Sequence, residues 1–78
     1  MRLDEQIRMF DEYGSDCWEK LIITMVENRM TIMAVAKERL IQGYESYEDQ
    51  MWGWNGKTRM DNIIEELADA VNYTLSGL

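Results

Sequence analysis

The sequence predicts an all-α fold: one domain over residues 1–78, a small bundle of three to four helices. Three observations carry that prediction. Proline is absent and there are only five glycines, so few positions interrupt a helix. Met, Glu and Leu are frequent, and their side chains lose little rotamer freedom in helices. Apolar residues also recur at spacings of three and four, the period of a helix face.

Residues 3–12 place Leu3, Ile7 and Phe10 on one stripe, with Asp4 and Glu5 in the first turn, where the helix dipole favours negative charge. "YGSD" at 13–16 reads as a break. Asp16, with Glu19 three positions on, resembles a capping box for a second helix. From Cys17 to Gln42 neither Gly nor Pro intervenes, so a long helix is predicted, broken near "ENR" at 27–29.

That helix carries two apolar stripes. Ile23, Val26, Met30, Met33, Leu40 and Tyr44 form one, interrupted at Lys37; Trp18, Leu21, Met25, Ile32 and Val35 form the other. A helix apolar on two sides is covered on two sides, and so short a chain has little to spare for the second cover. A homodimer is therefore expected to complete the bundle, with Met25, Met30, Ile32 and Met33 at its interface.

Gly43 weakens the helix, Asn55-Gly56 is a strong turn signal, and Thr58 with Asp61 resembles a cap. These predict a hairpin turn at residues 54–57 and a last helix from about Arg59 to Ser76, stopped by Gly77. The expected result is a C-terminal helical hairpin.

Composition narrows the function classes. A hydrophobic fraction of 46% is too high for a disordered tail. The single Cys17 forms no intramolecular disulfide, and without His it supports no zinc cluster. A net charge of −7 repels phosphate backbones, which argues against nucleic-acid binding. No apolar run reaches the ~18 residues of a membrane span, and "MRLDEQIRMFDEYG" is too acidic for a signal peptide. A cytoplasmic, membrane-free protein is expected.

On a helical plot of residues 60–75, Met60, Ile63, Ile64, Leu67, Ala70, Val71 and Leu75 share an apolar arc, and Glu66 sits at its border. Glu66 and Asp69, three apart, lie on adjacent turns and suit one hard cation. Glu45 and Glu48 repeat the spacing before the predicted turn. In an antiparallel hairpin the four carboxylates would face one another and suit magnesium, which bridges phosphates and orients an attacking water. The same spacing also occurs on ordinary solvated helix faces. Within "MWGWNGK" at 51–57, Trp52 and Trp54 flank a glycine. Tryptophans in a polar loop stack a nucleobase, dock a protein partner, or fold back to close the bundle.

"RMDNIIEELADAVNYTL", with "ERLIQGYESYEDQMW" before it, resembles the MazG-like all-α nucleotide pyrophosphohydrolase superfamily, especially its short bacteriophage members, over residues 36–76. The resemblance implies magnesium-dependent cleavage of nucleoside triphosphates to monophosphate and pyrophosphate. It makes Glu66 and Asp69 the second acidic motif, and matches Glu45 and Glu48 to the first by spacing. It places Asn72 and Tyr73 against a base or sugar, leaves Lys57 and Arg59 as phosphate contacts, and for a phage protein implies the host cytoplasm. No individual catalytic residue is assigned. The alternative from another class is a non-enzymatic acidic protein of phage type that binds and modulates a host protein.

Overall fold

The computed structural model describes residues 1–78 and is all-helical. Helix α1 runs Leu3–Glu27, α2 Arg29–Tyr47 and α3 Gly56–Ser76; a single 3-10 turn, Gln50–Gly53, lies between α2 and α3.

Helix α1 passes straight through the predicted break at 13–16. Asp16 is therefore mid-helix and caps nothing. Gly14 costs the helix about 1 kcal/mol relative to alanine, but it lies on the packed side of α1, and the Phe10 ring closes over it: a Cβ built at Gly14 would stand 3.6 Å from that ring. Packing outweighs the local penalty, as it does for most protein helices.

The break predicted at 27–29 falls at Asn28. Its backbone N–H donates to the Thr24 carbonyl at 3.0 Å and its Nδ2 to the same oxygen at 2.8 Å, so one residue closes the end of α1. A straight helix over residues 3–47 would be about 67 Å long, whereas the molecule's longest dimension is 40 Å. The chain therefore bends sharply at Asn28, and α2 leaves α1 at a steep angle. Despite Gly43 and Ser46, α2 continues to Tyr47.

The C-terminal hairpin is not formed. Asn55-Gly56 is not a hairpin turn but the start of α3: Asn55 is extended, and its side chain accepts the Thr58 backbone N–H at 2.8 Å. The cap expected at Thr58 with Asp61 is thus three residues too late, since Asn55 is itself a strong N-cap. The chain reverses earlier, at Glu48, which takes a positive φ of 55°, and through the 3-10 turn.

Helix α3 packs on α1 rather than α2, and every close approach between sequence-distant residues joins those two helices. They run antiparallel. Leu3 and Ile7 share a cleft with Leu75 and Leu78, and Phe10 shares one with Val71. The small core lies between them, with Cys17 and Leu21 buried. Opposite stand Leu67, Ala70, Val71, Thr74 and Leu75, all half-buried. These include four residues of the predicted apolar arc; Met60, Ile63 and Ile64 of that arc stay exposed.

Helix α2 buries no residue. Met30 is 83% exposed and Met33 65%, and Met25 and Ile32 are exposed as well. These side chains lie open for want of any element of the same chain against them.

Candidate binding surface

A concave surface of the chain lies where α2 meets the 3-10 turn. The chain reverses at Glu48, and Leu40, Tyr44 and Tyr47 of α2 together with Met51, Trp52 and Trp54 line an open cleft of about 870 Å³. Backbone bonds hold the turn: the Trp52 N–H donates to the Asp49 carbonyl at 3.0 Å, and the Trp54 N–H to the Met51 carbonyl at 3.2 Å. Arg59 Nη2 donates to the Trp54 carbonyl at 3.0 Å, tying the turn to the first turn of α3. Trp54 is half-buried, whereas Trp52 is 71% exposed. One tryptophan thus closes the turn, and the other projects outward.

Several predicted site residues meet at this cleft. Trp52, Trp54, Glu45 and Glu48 line it, and Arg59 braces it through the Trp54 carbonyl. Lys57 is engaged locally, with its Nζ 3.1 Å from Asp61 Oδ2. Asn72 and Tyr73 lie elsewhere, near the other end of α3. Sixteen residues of helix, Gly56 to Val71, separate Trp54 from Asn72, roughly 25 Å. Asn72 lines the cleft at the start of α1, and Tyr73 is 78% exposed. The residues expected to contact one ligand therefore fall into two groups at opposite ends of α3.

The four carboxylates are likewise separated. Glu45 sits in the last turn of α2, and Glu48 lies just beyond it on a reversed backbone, so the pair does not share a helix face. Glu66 and Asp69 lie about 15–20 Å along α3 from its start, and both are exposed. With α3 on α1 instead of α2, the two pairs do not face each other. No three acidic, Cys or His side chains gather into a group able to hold an ion. The carboxylates of one chain do not fit a magnesium site, because a hard cation held by protein needs several oxygens converging on one point.

Tyr44, Tyr47, Met51 and Leu40 contribute to the cleft without having been singled out as a site. Their signal was present: Leu40, Tyr44 and Tyr47 follow one another at four and three residues along the face of α2 that lines the cleft.

A second surface is defined by charge. Helix α1 carries seven acids, Asp4, Glu5, Asp11, Glu12, Asp16, Glu19 and Glu27, against Arg8 and Lys20. Helix α2 carries Arg29, Lys37 and Arg39 against Glu38 and Glu45, so it is the one helix with more bases than acids. No helix is long and apolar enough to cross a membrane. No family model matches the chain, and no curated protein or solved structure matches it either.

Proposed function

We propose that this chain works by binding protein, as an acidic helical module that dimerises and then engages a further protein through the cleft beside Trp52. The observation that carries the reading is its exposed area. A compact folded chain of 9.3 kDa exposes about 5,000 Å². This one exposes 7062 Å², an excess of roughly 2,100 Å² over that expectation. Two copies burying that excess against each other would remove about 4,000 Å² in all, within the range of obligate dimers.

The outward Trp52 supports the second half of the reading. A large aromatic side chain beside an open apolar cleft is the composition of an interaction hot spot. A partner that fits offers an apolar anchor for the cleft, with basic groups beside it to meet Glu45, Glu48 and Asp49. In a phage setting that partner is a host protein. This reading requires neither an ion nor a nucleotide.

Sedimentation equilibrium between about 1 and 100 μM, joined to thermal melts over the same range, tests the dimer. The expected result is a dimer whose melting temperature rises with concentration. A monomer at 100 μM with a concentration-independent melt would end the reading.

A further inference from the structure

We propose that the first half of α2 seats in the groove between α1 and α3 of a second copy, where its Lys37 meets one of the two acids there, Asp11 or Glu19. The inference rests on the dimer proposed above and specifies which surfaces form it.

Lys37 is the anomaly that points there. At about 100° per residue it lies within roughly 40° of Met33 and 20° of Met30, inside the apolar stripe of α2 rather than opposite it, and this first half of the helix leaves the Tyr44 wall of the larger cleft free. Whatever covers that stripe covers the stem of Lys37 too, and its ammonium then needs a carboxylate at the interface. Its own chain supplies none. Helix α2 approaches no sequence-distant residue, and the ion pairs present are Arg2 with Asp4 and Lys57 with Asp61.

The groove beside α1 supplies both requirements. It is about 530 Å³, with Phe10, Trp18 and Val71 as apolar lining and Asp11 and Glu19 among its walls. Trp18 is 48% exposed there, so an apolar helix laid along it removes a costly surface from water. The larger cleft is a poor alternative seat, because α2 itself builds one of its walls. Its acids Glu45 and Glu48 stand beside Arg39 on that same wall, so a second α2 laid there meets a base as well as acids. Pairing α1 with α1 is worse, given seven acids on each. Helix α1, with seven acids against two bases, is the most acidic helix and sets the largest opposite charge against α2.

Charge reversal tests this with a built-in rescue. In a reciprocal dimer, Lys37→Glu places like charges at both contacts, and so does the double variant D11K/E19K. Each is expected to weaken dimerisation by at least about tenfold. Mixing the two variants creates a heterodimer in which both contacts are again opposite in sign, so an equimolar mixture should recover near wild-type dimer. Sedimentation velocity, with one variant carrying a fluorescent label, reads that heterodimer directly. Rescue also shows that each variant still folds. A wild-type dimer whose variants associate normally, or whose mixture shows no recovery, overturns this seating while leaving the dimer standing. A monomeric wild type overturns both.

Discussion

Thr58 donates its backbone N–H to the Asn55 side chain at 2.8 Å, and this bond fixes where α3 begins. The first N–H groups of a helix have no partner within it, and the acceptor at Asn55 satisfies one of them. Replacing Asn55 by Ala removes that acceptor and should cost about 1 kcal/mol. Asn55→Asp or Asn55→Ser, which keep a side-chain oxygen at the same position, should cost much less. Urea denaturation of the three variants at one protein concentration checks the ranking. Equal losses for Ala and Asp would mean the cap contributes nothing.

Glu48 closes α2 with φ at 55° and ψ at −130°, a conformation that a side chain disfavours and glycine adopts freely. Glu48→Gly should therefore stabilise the protein, by about 1 kcal/mol after the added freedom of the unfolded chain is subtracted. Glu48→Val should destabilise it, because a β-branched residue fits that backbone worse. An increase in urea midpoint for Gly and a decrease for Val are expected. The opposite order would place the reversal at another residue.

The helical class was legible because it depends on local chemistry that each residue carries alone: no proline, few glycines and apolar residues at helical spacing. The arc from Leu67 to Leu75 was legible for the same reason. Pairing was not. Nothing in the spacing of Leu67, Ala70 and Val71 says whether Leu40 or Cys17 lies opposite, and the choice of α1 removed the facing carboxylates on which the metal expectation depended. Gly14 misled because its local cost is visible in the sequence, whereas the Phe10 ring and α3 that offset it are not. Asn55-Gly56 misled because the same pair of residues suits a turn and a helix cap. Trp52 and Trp54 were legible as an aromatic pair outside the long helices, but the turn was expected at residues 54–57, and the walls that Tyr44 and Tyr47 supply arise only from the reversal at Glu48.

Cys17 is fully buried between α1 and α3, beside Leu21 at 7% exposure. Its thiol should react with a soluble disulfide reagent only when those helices separate, so labelling reports the opening equilibrium of the core. Leu21→Ala leaves a cavity at that point and should cost about 3 kcal/mol. Labelling of Cys17 should then accelerate by about a hundredfold. The comparison is made in native buffer with a thiol-reactive chromophore. A fast reaction in the wild type, close to that of an unfolded peptide, would show that this core does not form.

Glu66 and Asp69 offer the most direct separation of binding protein from nucleotide hydrolase. An ion that binds the folded state alone stabilises it according to its concentration over its dissociation constant, about 2.7 kcal/mol at a hundredfold excess. In a domain this small that raises the melting temperature by roughly 10 °C or more. Both carboxylates are exposed, and no third acid joins them, so 10 mM magnesium should leave the melting temperature unchanged beyond the small general effect of matched ionic strength. Glu66→Gln should then alter stability by less than about 0.5 kcal/mol, with the same response to the ion as the wild type. Magnesium and calcium are compared against sodium chloride of equal ionic strength, at a fixed protein concentration, since the proposed dimer would make the melt concentration-dependent. A magnesium-specific rise that disappears in Glu66→Gln would mean that carboxylates from two copies converge. The hydrolase reading would then stand on a site shared across the dimer.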